Sequence, residues 1–261
     1  STDWLNEHLS DPDVMIVDVR MPHFYGQGHL TGAISLPDVQ VAGQGSVPVP
    51  VTAAQRLGKA GVRNDRHVVV YDDGASPAAA GVYFSLRYLR HHRVSVLDGG
   101  ITKWHHEGRD LSVERPEREP VTYDFSEPDA SLVASLDEVR KAIGDANSVI
   151  LDVRSPAEYL GLQIVAYKNG HIPGAINLDW TNNLQASADS VMQLKADEEL
   201  KSMYAGAGVT REKTVYVHCQ SGSRSSETFL VLKKLGYPNV RHYTAGWQEW
   251  GNRPDTPVEE R

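Results

Sequence analysis

Short runs of Val, Ile and aromatic residues alternate along this chain with longer, more polar stretches. The apolar runs have the length of strands and begin at Val14, Val68, Ser148 and Thr214. The longer stretches have the length and composition of helices and include 135–143, 197–204 and 227–235. Buried strands of a parallel sheet are nearly continuous apolar runs, because helices cover both faces of the sheet. The pattern therefore predicts an α/β fold whose parallel sheets are covered by helices on both faces.

The second half of the chain repeats the first half, block by block and in the same order. The matching blocks are 14–20 with 148–154, 28–36 with 170–178, 60–62 with 207–209, 68–71 with 215–218, and 99–104 with 245–250. Two copies of one domain explain this order better than one large domain does. A chain of 261 residues is also long enough for two domains that each bury a core.

The boundary between the copies is predicted from a proline-rich, charged stretch at 113–129. Pro116, Pro120 and Pro128 interrupt it, and charged residues cluster from Glu114 to Glu119. Such spacing is typical of an extended connector that continues neither helix nor sheet. We therefore expect a first domain at 1–112, a linker at 113–130 and a second domain at 131–261.

Charge and cysteine usage narrow the function classes. The net charge of −8 offers no basic face for nucleic acid or for an anionic membrane surface. No apolar run is long enough to span a bilayer, and residues 1–10 are too polar for a signal peptide. We expect a cytoplasmic monomer. A single cysteine excludes an intramolecular disulfide and a Cys-x-x-Cys metal or redox pair.

That cysteine, Cys219, lies in the stretch with the strongest chemical signal, 214–226. A β-branched run ends at Cys219, small polar residues follow, and a helical run begins at Glu227. Backbone N–H groups of such a turn and the positive end of the helix stabilise negative charge at the centre of the loop. Arg224 would add a full charge and a forked donor. A buried hydrophobic role for Cys219 is the alternative, but such cysteines rarely stand between a strand end and a Gly/Ser run.

The arrangement Cys-x4-Arg at 219–224 resembles the active loop of the rhodanese family of sulfurtransferases. Asp-Val-Arg at 152–154 and Gly-His-Ile-Pro-Gly-Ala-Ile-Asn at 170–177 precede it in the order of that family. The resemblance to two-domain rhodaneses covers nearly the whole chain. It implies two tandem rhodanese-like domains.

The resemblance also implies a reaction. An anionic donor such as thiosulfate, or 3-mercaptopyruvate, would pass a sulfane sulfur to Cys219 as a persulfide, and a thiophilic acceptor such as cyanide or a thiol would remove it. This is nucleophilic catalysis by double displacement. No cofactor or metal is implied. The substrate-binding loop would consist of Gln220, Ser221, Gly222, Ser223 and Arg224.

The first half has Asp72 where the second half has Cys219, because the spacing from Ala60 to Asp72 equals that from Ala207 to Cys219. A carboxylate cannot carry sulfane sulfur, and its charge would oppose an incoming anion. The loop 72–77 also lacks a counterpart of Arg224. We therefore expect the first domain to be catalytically silent.

Asp152, Arg154 and Glu158 are further candidates for the substrate cleft. Asp152 and Arg154 recur in the silent half as Asp18 and Arg20, which favours a structural ion pair over a role at the cleft. The segment 155–161 resembles one in which tandem rhodaneses usually carry an arginine that binds the anionic donor. Glu158 stands at the place of that arginine. If Glu158 faced the donor, its charge would weaken donor binding.

The remaining histidines and tryptophans receive structural interpretations. His171 has a twin in His29, and strand alternation directs His218 away from the face of Cys219, so both are expected to support the fold. Adjacent residues do not share one face of a helix, so the two adjacent histidine pairs are expected at the solvated surface. Tryptophans of the repeated block are expected in the core. The histidine pairs are His91 with His92 and His105 with His106, and the tryptophans are Trp247 and Trp250.

Two other function classes stay open beside the sulfurtransferase. A phosphatase or arsenate-handling enzyme of related fold would need five residues between Cys and Arg, whereas four stand here. A non-catalytic rhodanese-like binding or redox-sensing module would use Cys219 only as an oxidisable thiol.

Overall fold

A computed structural model describes residues 1–37 and 48–260 of the chain. The chain divides into two compact units, which are described separately. The described part of unit 1 comprises 1–37, 48–129 and 185–194. The described part of unit 2 comprises 130–184 and 195–260.

Unit 1 contains a four-stranded parallel sheet in the order β2-β1-β3-β4. Its strands are β1 (Val14–Asp18), β2 (Ile34–Ser35), β3 (His67–Tyr71) and β4 (Val94–Val96). Its helices are α1 (Thr2–Glu7), α2 (Pro22–Gln27), α3 (Pro50–Lys59), α4 (Ala78–Tyr88) and α5 (Gly100–His106).

Side chains of β1 and β3 alternate between two buried faces of this sheet. Met15 and Val17 pack in one cluster with apolar residues of α3 and α4. Ile16 points the other way and packs in a second cluster with residues of α1 and α5. Because both faces are covered, every central position of these strands must be apolar.

Unit 2 contains a second four-stranded parallel sheet, in the order β10-β9-β5-β6. The strands of this sheet are β5 (Ser148–Asp152), β6 (Ile176–Asn177), β9 (Thr214–His218) and β10 (Val240–His242). Two further strands, β7 (Leu184–Ala186) and β8 (Met192–Leu194), form a separate pair, and 185–194 belongs to unit 1. The helices are α6 (Leu136–Ala142), α7 (Pro156–Tyr159), α8 (Asp197–Gly206), α9 (Ser223–Lys234) and α10 (Gly246–Trp250). No helix within the described ranges is long and apolar enough to cross a bilayer.

The α/β class is confirmed in both units. Helices α6 and α10 cover one face of the second sheet, with Trp247 and Trp250 fully buried there, as expected. Helix α9 contacts β9 and β10. The two sheets also have equivalent registers, because Asp18 pairs with Tyr71 in the first and Asp152 pairs with His218 in the second.

The proline-rich segment 113–129 forms neither helix nor strand. It follows the surface of unit 1, where the Val121 N–H donates to the Gly58 carbonyl at 2.9 Å. The side chain of Tyr123 is buried in the core cluster of α3 and α4. The segment therefore contributes packing to unit 1 as well as connecting the two sheets.

The surface position predicted for His91 is wrong. Its side chain is buried, and Nδ1 lies 2.9 Å from the hydroxyl of Tyr123. The prediction assumed a helix, but α4 ends at Tyr88 and Arg90 adopts a left-handed conformation with φ +63°, which turns the next residue inward. The other three paired histidines, His92, His105 and His106, are exposed as expected.

Candidate active site

Cys219 directly follows β9, at the carboxyl edge of the sheet, and its loop is fixed by backbone bonds to the start of α10. The N–H of Trp247 donates to the Cys219 carbonyl at 2.9 Å, and the N–H of Gln248 donates to the Gln220 carbonyl at 2.8 Å. Ligands of open parallel sheets bind at this edge. The β9–loop–α9 order expected from the sequence is therefore present.

Two glycines allow the loop to lie this close to its neighbours. Gly246 has φ +54°, and a Cβ there would lie 2.4 Å from the carbonyl oxygen of Cys219. Gly222 has φ +92°, and a Cβ there would lie 2.8 Å from the carbonyl oxygen of Thr244. Any larger residue would have to displace the backbone that carries Cys219.

The thiol of Cys219 is buried, with 1% of the residue exposed. The N–H of Gly222 donates to Sγ at 3.2 Å, and the hydroxyl of Ser225 lies 3.3 Å from Sγ. Gly222 is the N-cap of α9, so the sulfur lies at the positive end of a 12-residue helix. This environment stabilises negative charge on the sulfur.

The helix begins earlier than the sequence pattern predicted. Its first residue is Ser223 rather than Glu227, so Ser223 and Arg224 belong to the first turn of α9. Serine is unfavourable in helix interiors but suits first turns, which explains why the Ser-rich stretch did not look helical. The loop proper consists of Gln220, Ser221 and Gly222.

Arg224 is bound by Glu158, a contact that sequence reasoning did not anticipate. Its two terminal nitrogens donate to the two carboxylate oxygens of Glu158 at 2.7 and 2.8 Å. Burial would raise the pKa of Glu158, but the bonds from Arg224 and Ser155 outweigh it and hold this pKa at about 2. The bond to Glu158 raises the pKa of Arg224. Both groups are therefore charged, and the positive charge of Arg224 is balanced within the protein.

Glu158 is held in this orientation by its own helix. Ser155 caps α7, and the Glu158 carboxylate accepts from the Ser155 N–H at 3.2 Å, forming a capping box. The carboxylate thus faces Arg224 in the first turn of α9. Only 7% of the Glu158 side chain is exposed, against 26% for Arg224.

Asp152 and Arg154 form an ion pair at 2.5 Å in which both side chains are fully buried. Arg154 also donates to the Gly170 carbonyl and lies over the ring of Trp247, 4.4 Å from its centroid. Neither side chain reaches solvent, so neither lines a substrate-accessible surface. Their counterparts Asp18 and Arg20 make the same pair at 2.6 Å in unit 1.

His218 lies beneath the loop and faces this ion pair. Its Nε2 is 3.7 Å from the Asp152 carboxylate, and its Nδ1 is 3.2 Å from the Cys219 carbonyl oxygen. Burial lowers the pKa of His218, with Asp152 acting against it. The side chain supports the loop backbone and makes no described contact with Sγ. His171 stacks on Tyr159 in the same way as His29 stacks on Tyr25.

The corresponding loop of unit 1 is occupied by its own carboxylate. Asp72 is buried and accepts from the N–H groups of Gly74 at 2.7 Å and Ala79 at 2.9 Å. Burial raises its pKa to about 6, although these two bonds act in the opposite direction. The N–H groups that would cradle an anion are therefore used by Asp72.

Two further residues lie behind Cys219, and sequence reasoning missed both. Ser225 Oγ lies 2.7 Å from Nε2 of His242, and both residues are buried. Ser225 was hidden in a run of serines, and His242 is on β10, 17 positions away.

In the described part of the chain, no group of three or more His, Cys, Asp or Glu side chains could hold a metal ion.

Comparison with known proteins places these features in one family context. The family description "Rhodanese-like domain" matches residues 1–107 and 135–253. A thiosulfate sulfurtransferase of Azotobacter vinelandii is 37% identical over 98% of this chain and 94% of its own length. The sulfur carrier protein TtuD of Thermus thermophilus is 34% identical over 99% of this chain and 95% of its own. The crystal structure of SseA from Escherichia coli, a 3-mercaptopyruvate sulfotransferase by its description, superimposes with a TM-score of 0.81 at 29% identity, covering 94% of this chain and 97% of that one.

Proposed function

The chain belongs to the rhodanese family and is a sulfurtransferase, and on this basis we propose that Cys219 carries the sulfane sulfur in a thiosulfate-dependent transfer. The observation that carries the proposal is the position of Sγ. It lies at the start of α9, with the Gly222 N–H directed at it. A persulfide at this position would have the Gly222 N–H and the positive end of α9 beside it.

The reaction has two displacements. The Cys219 thiolate attacks the sulfane sulfur of thiosulfate, the S–S bond of thiosulfate breaks, and sulfite leaves with the bonding electron pair. The acceptor then attacks the terminal sulfur of the Cys219 persulfide, and Cys219 leaves as a thiolate. With cyanide as acceptor the product is thiocyanate. The thiolate is regenerated, so no oxidant or reductant is consumed.

Donor binding rests on the Gly222 N–H and the positive end of α9 rather than on a free cation at Arg224. Glu158 already accepts a hydrogen bond from each terminal nitrogen of that guanidinium and balances its charge. We propose that the pair supports the loop and lowers its attraction for anions, which makes Glu158 a determinant of donor preference. A donor with a smaller negative charge would lose less binding free energy through this charge balance.

3-Mercaptopyruvate is the second donor candidate. The likeness to SseA supports it, and this donor is a monoanion whereas thiosulfate is a dianion. Measuring kcat/KM for both donors with the same acceptor decides between them. A higher value for 3-mercaptopyruvate would make it the preferred substrate.

We propose further that the domain at 1–112 is catalytically silent, that 113–130 is a linker, and that 131–261 carries the activity. The support is the carboxylate of Asp72, which takes the donors of its own loop.

The experiment for the proposed function is substitution of the nucleophile. Cys219→Ser should abolish cyanide-dependent thiocyanate formation while shifting the thermal transition little, because a hydroxyl fills the space but cannot hold sulfane sulfur. Retained activity in this variant would contradict the proposal, since the chain has no other thiol.

A further inference from the structure

Ser225 has three hydrogen-bonding neighbours in a space closed to solvent. Its Oγ lies 3.3 Å from Cys219 Sγ, 3.0 Å from the Gly222 carbonyl oxygen and 2.7 Å from His242 Nε2. Ser225 is 0% exposed and His242 is 1% exposed. These contacts connect the reacting sulfur to an imidazole that the reaction described above does not use.

The number of protons limits how these contacts can be made. A hydroxyl donates one proton and accepts through its lone pairs. The Gly222 carbonyl can only accept, and so can a thiolate. If Nε2 of His242 also accepted, the thiolate and the imidazole would compete for that one proton, whereas the Gly222 carbonyl has further donors in the N–H and the hydroxyl of Ser226, each at 3.0 Å. With Nε2 protonated, His242 donates to Ser225 Oγ, and the hydroxyl proton is available to the sulfur.

The burial of His242 agrees with such a neutral imidazole. Burial lowers the pKa of His242 to about 3, so the ring carries a single N–H at neutral pH. The hydrogen-bonding partners of the two ring nitrogens determine which of them holds that proton. The ring also stacks near Phe229, with 6.0 Å between centroids, which fixes its plane.

We propose that Ser225 is a catalytic hydroxyl of this sulfur transfer and that His242 positions it: His242 Nε2–H donates to Ser225, which directs its own proton to Cys219 Sγ when that sulfur is negatively charged. The inference rests on the proposed function of Cys219. In the persulfide, Sγ carries no charge and the hydroxyl proton turns to the Gly222 carbonyl. When the acceptor attacks the terminal sulfur, the electron pair of the breaking S–S bond goes to Sγ, and Ser225 bonds to it. No proton is transferred.

This arrangement favours discharge of the persulfide over its formation. A hydrogen bond to the leaving thiolate speeds its departure, because better-stabilised thiolates leave faster. The same bond makes the attacking thiolate a weaker nucleophile. At about pH 9.5, where an ordinary thiol is ionised, loss of the bond should therefore slow discharge without slowing loading.

The test measures the two half-reactions separately by rapid mixing. Loading is followed as sulfite release from thiosulfate, and discharge as thiocyanate release from isolated persulfide enzyme. Ser225→Ala and His242→Leu should slow discharge about tenfold and change loading less than about threefold, as expected for one hydrogen bond to a charged group. His242→Gln, whose amide can still donate to Ser225, should restore most of the discharge rate.

Ser226→Ala is the matched control. Its hydroxyl is buried and bonds to the same Gly222 carbonyl at 3.0 Å, but it makes no described contact with Sγ. It should leave the ratio of the two rates unchanged. Equal slowing of both steps in Ser225→Ala, no slowing of discharge, or the same selective effect in Ser226→Ala would overturn the proposal.

Two further observations keep the result interpretable. If Ser225→Ala does not fold by circular dichroism, the comparison of His242→Leu with His242→Gln decides, and equal discharge rates in those two would overturn the proposal. If the wild-type protein takes up no sulfur at all, the proposed function itself fails. That outcome is seen before any variant is compared.

Discussion

At the scale of single residues, the site is a buried sulfur whose neighbours are all fixed by other contacts. Cys219 could be identified from the sequence because the strand, the loop and the positive helix end are contiguous around it. The partners Glu158 and His242 could not, since Glu158 is 66 positions from Arg224, and a salt bridge at that separation leaves no periodic signal. Glu158 was named only because it departs from the family pattern.

The Glu158–Arg224 pair predicts a gain of activity on neutralisation. Glu158→Gln should raise kcat/KM for thiosulfate about three- to tenfold at low salt, because the charge of Arg224 becomes available to the donor. The gain should shrink as ionic strength rises. The free energy of unfolding should fall by about 1–2 kcal/mol, since a partly buried cation loses its partner.

Glu138→Gln is the matched control for this prediction. Glu138 also completes a capping box, with Ser135, and pairs with Arg241 at 2.6 Å, but it lies on α6. It should lose stability without any gain in kcat/KM. An unchanged kcat/KM in Glu158→Gln at low salt would show that Glu158 has no influence on the donor.

Asp72 predicts a pH dependence of stability in the opposite sense to that of ordinary carboxylates. Burial raises its folded-state pKa from 3.8 to about 6, so the folded chain binds the proton more tightly than the unfolded chain does. Its contribution to stability is complete below pH 3.8 and is lost as pH rises through 6. Relative to Asp72→Asn, the wild type should therefore lose stability between these two pH values.

Urea unfolding of both proteins at a series of pH values measures this difference. Asp73→Asn is the control, because the side chain of Asp73 is 54% exposed. It should follow the wild type closely with a slightly smaller loss, because the charge of Asp73 adds a small part to the raised pKa of Asp72. A wild-type curve parallel to that of Asp72→Asn would mean that Asp72 titrates normally.

At the scale of elements, the sequence predicted strands and repeated blocks well and element ends less well. Apolar runs located the main strands because both faces of each sheet are buried, so that every position carries the signal. The start of α9 was displaced because serine composition conceals a first helical turn. The inward turn at His91 depends on the left-handed Arg90, which nothing in the local sequence indicates.

The close contact between the active loop and α10 predicts that any replacement of Gly246 reduces activity. Gly246→Ala would put a Cβ 2.4 Å from the Cys219 carbonyl oxygen and 2.9 Å from that of Gln220. We expect kcat/KM to fall about tenfold or more, because the loop must move. Gly174→Ala is the control: φ is +72° there, but no atom lies within 4 Å of the added Cβ.

Both substitutions carry a similar cost for a left-handed alanine, about 1–2 kcal/mol. Only Gly246→Ala should also reduce activity in the thiocyanate assay. Equal activity in the two variants would show that the close approach at Gly246 is not needed to hold Cys219.

At the scale of the whole molecule, the described part of the chain has two copies of one sheet, and a cysteine stands in only one of the two equivalent loops. The repeat could be predicted because five ordered blocks match between the halves. What the sequence could not show is how the first loop is filled. Asp72 stands at the position of the cysteine, and its carboxylate accepts from the N–H groups of Gly74 and Ala79, which a bound anion would otherwise use.

A cysteine alone should therefore not activate the first copy. In the double variant Asp72→Cys with Cys219→Ser, thiocyanate formation should stay at background. Its loop has no arginine at the place of Arg224, and Pro77 at the start of α4 lacks an N–H donor. Turnover above background would show that only the nucleophile was missing.

The most direct measurement is the intact mass of the protein after treatment with thiosulfate and removal of excess donor. The account predicts a gain of one sulfur atom per chain, located on the peptide containing Cys219 and removed completely by cyanide. Cys219→Ser should show no gain. An unchanged mass in the wild type, or a gain that cyanide does not remove, would contradict persulfide transfer through Cys219.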